Sequence, residues 1–369
     1  MFRGICSLAL LITIGIGSVE GADWPSFRGP NGNGIAAEGE KAPVEWGPEK
    51  NIRWKVPMPK PGNGSPIVVG GRVFVTSAED DEGKQRSLYC FDADTGKKLW
   101  AKTVAFDRVM PKHSTNTYAS TTPVSDGKRV VVWHASAGLH CYDMNGQPLW
   151  SRDLGEFRHK WGFGTSPILH KGRVILHTGP GKRVFVTAID LENGKTVWET
   201  DEPLEGENRL PDEQMGAWNT PRAINRDGAE RIIVTMPLRV VAYDAETGGI
   251  AWTCSGVRHS KGALTYSSAV FVDDICVITG GLRGVSMGIR LGGSGDVTET
   301  HRLFRKENNP QNIASAIATG GYVFRANAWG GTLDCIDPKT GEPQWRERGG
   351  VGDFWASTVM IDGLLYATS

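Results

Sequence analysis

A short phrase recurs through this chain and constrains the fold more than any other feature of the sequence. Each copy starts with an apolar run, continues through an Asp and a Gly-containing turn, and ends in Trp. The five complete copies occupy residues 88–100, 139–150, 187–198, 241–252 and 333–345. A repeat of roughly 50 residues predicts stacked or radially arranged supersecondary units that each pack on their neighbours.

The sequence around the first copy predicts four short strands joined by turns. Residues 65–69 and 72–76 are apolar or alternating runs separated by Gly70-Gly71, and residues 88–91 and 98–102 flank the turn Asp92-Ala-Asp-Thr-Gly96. Gly supplies positive φ in such a turn, and the Asp side chain accepts nearby backbone N–H groups. Four short strands with a turn at every join predict one blade of a β-propeller.

The first strand of each blade can be counted independently of the Trp phrase. A hydroxyl residue followed by Pro or a small residue opens this strand in seven places: Ser65, Thr122, Ser166, Thr220, Ser268, Ser315 and Ser357. We therefore interpret residues 262–306 as a degenerate blade, in which Phe304 replaces the Trp and Gly280 to Gly295 form a glycine-rich insertion.

The predicted fold class is an all-β propeller of four-stranded blades, with seven visible and seven or eight when complete. Trp54 lies in a stretch that resembles a fourth strand with nothing before it. We expect this stretch to close the final blade and so remove an exposed strand edge. The seventh blade reaches only its second strand by Ser369, and we expect the chain to be truncated at its C-terminus.

The N-terminus resembles a secretory signal peptide. Arg3 precedes an apolar run from Leu8 to Ile16, and small residues follow up to Gly21. These features predict a signal peptide over residues 1–21, an extended lead-in over 22–50, a propeller over 51–369, and a periplasmic or secreted protein. A retained anchor is the alternative. Cys6 precedes the apolar run, which argues against a lipoprotein site.

Charge and cysteine content exclude several classes of function. The chain has 41 basic and 41 acidic residues and no basic stripe, so nucleic acid is not an expected partner. No Cys-x-x-Cys pair is present, which argues against a structural zinc site. Three of the cysteines occupy the same slot of the repeat, and we expect small buried side chains there: Cys90, Cys141 and Cys335.

The repeat pattern Ala-x-Asp-x-x-Thr-Gly-x-x-x-Trp, with its preceding Ser-Pro strands, resembles the pyrroloquinoline-quinone-type propeller repeat. This repeat occurs in quinoprotein alcohol dehydrogenases and in the outer-membrane assembly lipoprotein BamB. The resemblance covers residues 51–369, and residues 23–34 resemble the start of exported planctomycete propeller proteins. It implies that the repeat tryptophans pack between adjacent blades: Trp54, Trp100, Trp150, Trp198, Trp252 and Trp345.

The same resemblance raises the question of quinone chemistry. Quinoprotein dehydrogenases carry an adjacent cysteine pair, a calcium site and a catalytic Asp in the funnel. This chain has no adjacent cysteine pair and no calcium-loop spacing. We therefore assign no catalytic or metal-binding residue and expect no cofactor, with pyrroloquinoline quinone and calcium as the alternative.

Other short motifs do not match a known catalytic or nucleotide-binding site. The run Asn193-Gly-Lys-Thr196 resembles the end of a phosphate loop, but Ile189 stands where such a loop requires Gly. The glycines of residues 29–34 have no preceding strand or following helix, and there is no Gly-x-Ser-x-Gly elbow.

The axial mouth of the propeller is the remaining candidate site. The innermost strands begin near the axis, so residues just before them should face a shared funnel. The residue after each opening hydroxyl residue is Pro or a small replacement, and we call this position the Pro slot. The positions three residues before the Pro slot are Asn63, Ser120, Gly164, Trp218, Tyr266, Ile313 and Trp355. The candidate binding residues are Trp218, Tyr266, Trp355, Tyr118, Trp161, Asn63 and Asn219. The alternative is that these aromatic side chains simply plug the axis.

These observations favour a monomeric, non-enzymatic binding or scaffold propeller. It would engage a protein partner or another component of the cell envelope, by analogy with outer-membrane assembly. Two alternatives stay open: a quinoprotein oxidoreductase with quinone and calcium, and a carbohydrate-binding propeller, since aromatic faces with a few amides also suit sugars.

Overall fold

The computed structural model describes residues 21–181, 183–202, 214–350 and 352–369. It confirms the predicted fold class, because nearly all regular structure is antiparallel β-sheet arranged as successive blades. The signal peptide predicted over residues 1–21 lies, apart from Gly21, outside the described residues.

The first three blades each contain four consecutive antiparallel strands. Blade 1 consists of β1 (Ile67–Val69), β2 (Arg72–Ala78), β3 (Gln85–Asp92) and β4 (Lys98–Ala105). Blade 2 consists of β5 (Val124–Ser125), β6 (Arg129–Trp133), β7 (Leu139–Asp143) and β8 (Pro148–Arg152). Blade 3 consists of β9 (Ile168–His170), β10 (Arg173–His177), β11 (Phe185–Asp190) and β12 (Thr196–Asp201).

Blade 4 follows the short connector strand β13 (Met215–Ala217), which pairs in parallel with the next connector strand, β18 (Ala263–Thr265). Blade 4 consists of β14 (Arg222–Arg226), β15 (Ala229–Thr235), β16 (Arg239–Asp244) and β17 (Ile250–Ser255). Blade 5 consists of β19 (Val270–Val272), β20 (Ile275–Ile278), β21 (Ser286–Arg290) and β23 (Arg302–Lys306). Between β21 and β23 lie β22 (Gly295–Asp296) and the helix α1 (Thr298–His301).

Blade 6 again has four strands, whereas blade 7 has two in the described part of the chain. Blade 6 consists of β24 (Ile317–Thr319), β25 (Tyr322–Ala326), β26 (Thr332–Ile336) and β27 (Pro343–Arg348). Blade 7 consists of β28 (Val359–Ile361) and β29 (Leu364–Tyr366).

Blade 5 is more regular than the sequence suggested. The glycine-rich stretch that we interpreted as an insertion, Gly280 to Gly295, contains the third strand β21. Only the segment after β21 departs from the repeat, and its strand β22 adds to blade 4 as a fifth, parallel strand beside β17. Phe304 takes the place of the repeat Trp on the fourth strand, opposite Gly288. A Cβ at Gly288 would lie 2.4 Å from the Phe304 ring, so Gly is required there.

The slot occupied by several cysteines lies directly opposite the repeat Trp. Cys90 pairs with Trp100 and Cys141 pairs with Trp150, and a β-bulge follows at once in both blades. All five cysteines of the described residues are buried and unpaired. A small side chain fits there because the neighbouring indole fills the space above the sheet.

The indoles join each blade to the next. Trp100 Nε1 donates to the carbonyl oxygen of Met144 (3.0 Å), and Trp150 Nε1 donates to that of Leu191 (2.9 Å). Each acceptor belongs to the turn between the third and fourth strands of the following blade. Trp345 differs, because it is 41% exposed and packs on Phe324 of its own blade at 6.1 Å. Among the described residues, blade 7 offers it no such turn.

Trp54 packs on blade 1 without belonging to a strand. Its Nε1 donates to the carbonyl oxygen of Ala93 (2.8 Å), and its ring covers Gly96, as the repeat tryptophans do elsewhere. The expected β-strand around it is wrong for this structure, since residues 51–58 have no strand pairing. A fourth strand needs a third strand to pair with, and described blade 7 has only β28 and β29.

A ring of hydroxyl groups links the innermost strands. In the first six blades, the backbone N–H of the hydroxyl residue that opens the innermost strand donates to the hydroxyl of its counterpart in the next blade, at 2.9 to 3.2 Å. The order is Ser65, Thr122, Ser166, Thr220, Ser268, Ser315 and Ser357. Only a small hydroxyl side chain can satisfy a buried N–H at this crowded position, which explains why Ser or Thr fills every slot.

The lead-in folds against the axial end of the propeller. Trp24 pairs with Val68 of blade 1, and Ile35 bridges to Met360 of blade 7. Between them, the guanidinium of Arg28 is buried and donates to backbone carbonyl oxygens of blades 6 and 7, including that of Ser315 at 2.9 Å. The lead-in therefore connects the first and last blades.

In the described part of the chain, no helix has both the length and the apolar character needed to cross a membrane.

Candidate functional site

A cavity of about 680 Å³ opens at the axial mouth, and we call it the funnel. All seven positions selected three residues before the Pro slot line it: Asn63, Ser120, Gly164, Trp218, Tyr266, Ile313 and Trp355. They converge because the connector into each innermost strand approaches the axis from the same side. The volume lies within the usual range for ligand pockets.

One wall of the funnel is an aromatic stack. The rings of Trp218 and Tyr266 stack with centroids 5.9 Å apart, and the ring of His159 meets Trp218 edge-on at 5.1 Å. Trp218 Nε1 donates to the carbonyl oxygen of Gly162 at 2.8 Å, which holds the indole in place. Burial raises the pKa of Tyr266, so its hydroxyl stays protonated and can donate a hydrogen bond.

The opposite rim carries two exposed tryptophans. Trp329 and Trp355 meet edge-to-face with centroids 5.3 Å apart, and they are 52% and 44% exposed. Trp329 also has a positive φ of 48°. A bulky residue in this backbone region stores strain, and such strain is concentrated at functional sites. A pair of exposed indoles held in this way is suited to contact a ligand.

Two asparagine side chains on the connectors, Asn63 and Asn116, complete the lining described here. Asn116 Nδ2 donates to the carbonyl oxygens of Trp161 (2.6 Å) and Phe163 (2.9 Å), which fixes the connector bearing both rings. Asn63 Nδ2 donates to the carbonyl oxygen of Thr115 at 3.1 Å. Among the described residues no donor reaches the Asn63 side-chain oxygen, so this oxygen can accept from a ligand.

The funnel wall is built from aromatic, amide, hydroxyl and small side chains, with the imidazole of His113 among them. Among its described lining residues there is no Asp, Glu, Lys or Arg. Pyrroloquinoline quinone carries three carboxyl groups, and calcium takes carboxylate and carbonyl oxygens as ligands. The funnel has neither cations for the carboxylates nor acidic ligands for the metal, so its residues do not fit quinone and calcium. Across the described residues, no group of three or more His, Cys, Asp or Glu could hold a metal ion.

Two of the candidate residues lie outside the funnel. Tyr118 packs its ring over Gly83, and its hydroxyl donates to the carbonyl oxygen of Met110 at 2.6 Å. Asn219 is 1% exposed and bonds the backbone of Thr235 through both its nitrogen and its oxygen. Asn219 directly follows the funnel residue Trp218, but its side chain bonds the strand β15 and does not line the funnel. Its place next to Trp218 in the sequence was therefore not a guide to where its side chain lies.

Trp218, Tyr266, Trp355, Trp161 and Asn63 do line the funnel. Several other lining residues were not singled out as binding candidates: Phe27, His113, Thr115, Asn116, Gln311 and Trp329. Trp329 comes from the loop between β25 and β26, not from a connector into an innermost strand. The sequence feature that could have indicated a role for Trp329 is a Trp directly before the loop glycines Gly330-Gly331.

Curated relatives that this chain matches include two bacterial alcohol-oxidising dehydrogenases by name. It is 26% identical over 175 residues to a quinohemoprotein alcohol dehydrogenase of Pseudomonas putida, covering 44% of this chain and 22% of that protein. It is 23% identical over 238 residues to a polyvinylalcohol dehydrogenase of a Pseudomonas species, covering 56% of this chain and 36% of that protein. The chain thus spans about a fifth to a third of the length of these relatives.

A solved structure shares the fold. The crystal structure of BamB from Moraxella catarrhalis superposes with a TM-score of 0.57 and 16% sequence identity, over 83% of this chain and 91% of that chain. The family model described as outer membrane protein assembly factor BamB matches residues 30–108 and 84–347. This match takes in the repeats, the ring of slot hydroxyls up to Ser315 and most of the funnel. The chain therefore belongs to the BamB-like family of pyrroloquinoline-quinone-type β-propellers.

Proposed function

We propose that this protein is an exported, non-enzymatic binding propeller whose funnel receives an uncharged segment of a partner protein that carries aromatic or proline side chains. The observation that carries the proposal is the convergence of Trp161, Trp218, Tyr266, Trp329 and Trp355 on one uncharged cavity.

The contacts of the funnel support a peptide segment as ligand. Trp329 and Trp355 present exposed faces in an edge-to-face pair, which can receive a planar or proline ring. Asn63 lines the same cavity, and its side-chain oxygen, which accepts no bond from the described residues, can accept from a backbone N–H. Charged side chains would lose hydration there without gaining a counter-ion, so an uncharged segment is favoured.

Export is the second part of the proposal. It rests on the charged and apolar pattern of residues 1–21 and on the BamB-like family to which the chain belongs. Outer-membrane assembly is the role named for that family, and a protein partner in the cell envelope is the corresponding expectation for this chain.

A peptide selection tests the binding role. A phage-displayed random peptide library is selected on the immobilised full chain, and enriched peptides are synthesised with a fluorophore. Fluorescence anisotropy then compares the native protein with Trp329→Ala and Trp355→Ala. We expect uncharged peptides rich in aromatic or proline residues, and a loss of affinity of at least about tenfold, or 1.4 kcal/mol, in each variant.

Trp46→Ala is the matched control. Trp46 is also exposed, at 58%, but stacks on Tyr366 outside the funnel at 6.0 Å. Its removal should leave peptide affinity unchanged. Failure to enrich any peptide, or equal losses in the control and the funnel variants, would contradict the proposal.

The quinoprotein alternative is favoured by the curated relatives and opposed by the funnel's lack of charged side chains. It is tested by adding pyrroloquinoline quinone and calcium to the full chain and following visible absorption and dye reduction with alcohols. A shifted quinone band and dye reduction, both lost in Trp218→Ala, would overturn the non-enzymatic proposal.

The carbohydrate alternative rests on the same exposed indoles. A glycan array separates it from the peptide proposal, because sugar binding would give hits that disappear in Trp355→Ala and Tyr266→Phe. Glycan hits without peptide binding would replace the protein partner by a carbohydrate.

A further inference from the structure

A second cavity, of about 370 Å³, adjoins the funnel, and we call it the rear cavity. Phe27, Thr220 and Ser268 line both cavities. The funnel is lined by residues preceding the innermost strands, and the rear cavity by residues within and beside those of blades 2, 3 and 4. Residues 25–32 of the lead-in form the remaining part of the wall of the rear cavity.

Arg222 is the unusual residue of this cavity. It is 9% exposed, and its Nη1 atom is buried without a hydrogen-bond partner. Among the described residues, Arg222 makes neither a hydrogen bond nor an ion pair; its guanidinium lies 5.6 Å from the ring centroid of Phe271. Burial lowers its pKa to about 10, so the group is still charged at neutral pH.

Arg28 adds a second positive charge within electrostatic reach of Arg222. Its two terminal nitrogens are occupied by backbone carbonyl oxygens, and its Nε is buried without a partner. Burial and the charge of Arg222 together lower the pKa of Arg28 to about 9. The two guanidinium charges are therefore close enough to repel each other.

No carboxylate of the described cavity wall offsets these charges. The described lining of the rear cavity contains no Asp or Glu, and the nearby His170 has its Nε2 3.1 Å from the carboxylate of Glu230, away from both arginines. A buried charge without a counter-ion destabilises the fold, because it has lost its hydration without gaining a partner. Folded proteins relieve this cost with an anion that enters the site.

We propose that the rear cavity binds a small organic carboxylate through the guanidinium of Arg222. Arg222 offers one planar fork with no competing partner, which matches the two oxygens of one carboxylate. The apolar side chains of Val124, Ile168 and Leu169 line the same space and can contact a short hydrocarbon group. This site is separate from the funnel, and its ligand is independent of the partner proposed there.

The residues that line the rear cavity favour an organic carboxylate over inorganic phosphate as its ligand. A phosphate dianion is usually held by several donors at once, whereas only one fork is available here because the terminal nitrogens of Arg28 are already bonded. The apolar lining would gain contact with an organic acid and none with inorganic phosphate.

Calorimetric titration of the full chain tests the site. The buffer contains no carboxylate, and the probes are butyrate, benzoate and inorganic phosphate. We expect butyrate or benzoate to bind at millimolar concentration or below, and phosphate to bind at least about tenfold more weakly. Arg222→Met should abolish carboxylate binding, and Arg222→Lys, which keeps the charge but loses the fork, should weaken it.

Melting temperatures show whether a variant that no longer binds carboxylate is still folded. In carboxylate-free buffer, Arg222→Met should melt no lower than the native chain, because it removes an uncompensated buried charge. Arg226→Met, on the same strand but paired with Asp227, is the matched control and should leave binding intact. Carboxylate binding that survives Arg222→Met, tighter binding of phosphate, or no binding of any probe would each overturn the proposal.

Discussion

Trp198 Nε1 donates a 3.1 Å hydrogen bond to the carbonyl oxygen of Ala245, which lies in the turn of the next blade. The indole is 7% exposed and covers Gly248, whose φ is 74°. The contact joins the two most characteristic parts of the repeat, the Trp that ends one copy and the Gly-containing turn of the next. Stability of the ring is therefore concentrated at the seams between blades.

Replacing Trp198 by Ala should lower the free energy of unfolding by about 3–5 kcal/mol, since a large buried aromatic side chain and its hydrogen bond are lost together. Urea denaturation followed by circular dichroism measures this change. Trp345→Ala is the control, because Trp345 is 41% exposed and should cost less than about 1 kcal/mol. Equal losses in the two variants would contradict the role of the seam.

The turn glycines allow packing to be separated from backbone strain. Gly194 has φ 72°, and a Cβ there would lie 2.8 Å from the ring of Trp150. Gly172 has nearly the same φ, 74°, but no atom within 4 Å of such a Cβ. Both substitutions by Ala should cost about 1–2 kcal/mol from the left-handed backbone. Gly194→Ala should lose a further 1–3 kcal/mol or so from overpacking, measured as the difference between the two unfolding curves.

Asp334 should make stability depend on pH in the acid range. Its carboxylate is fully buried and lies 2.7 Å from Arg325 and 2.8 Å from Arg346. Burial alone would raise the pKa of Asp334, but hydrogen bonds and charges of both arginines outweigh it and hold the pKa below its usual 3.8. The stabilisation is complete above pH 3.8 and is lost as pH falls through the lower folded-state pKa.

Asp334→Asn should therefore cost about 3–5 kcal/mol at neutral pH, because Arg325 is left buried without its counter-ion. The loss relative to the native chain should shrink as pH falls toward the folded-state pKa. Asp94→Asn, in an exposed pair with Arg53, is the control and should show almost no change. Thermal melting across the acid range measures both, and a pH-independent difference would contradict this assignment.

The buried cysteines should be unreactive in the folded protein. Burial raises the pKa of Cys141 and of Cys276 to about 12 and that of Cys90 to about 11, so hardly any thiolate forms at neutral pH. A colorimetric thiol reagent should react slowly with the folded protein and with all five of these thiols after denaturation. Rapid labelling of the native protein would show that the slot opposite the Trp is accessible.

The local structure of each blade could be predicted because it depends on short-range pattern. The turn Asp92-Ala-Asp-Thr-Gly96 and the strand alternation repeat with little change, so a few residues determine four strands. Phe304 lies on the fourth strand of blade 5, as predicted. Its eight-residue spacing from Asp296 equals the Asp-to-Trp spacing of the repeat, but Asp296 itself belongs to β22 beside blade 4. The third strand β21 was missed, since Gly288 within it and the glycines on either side weakened the strand pattern.

The funnel could be predicted only in outline. The spacing before each Pro slot located seven lining positions, because the radial repeat brings equivalent residues to one axis. Trp329 enters from a different loop, and Phe27 enters from the lead-in, so no repeat position reveals them. Tyr118 was predicted to line the funnel but does not, because its ring packs over Gly83, and this contact is not visible in the sequence.

The sequence by itself therefore determined the blades, the Trp seams and the approximate ring around the axis, because these follow from a periodic pattern of apolar, turn and hydroxyl residues. Only the tertiary structure placed the lead-in against the first and seventh blades, put Phe27 of the lead-in in the walls of both cavities, and brought Arg28 within reach of the charge of Arg222. Contacts between residues nearly 200 positions apart depend on how the ring closes, and no local pattern encodes them.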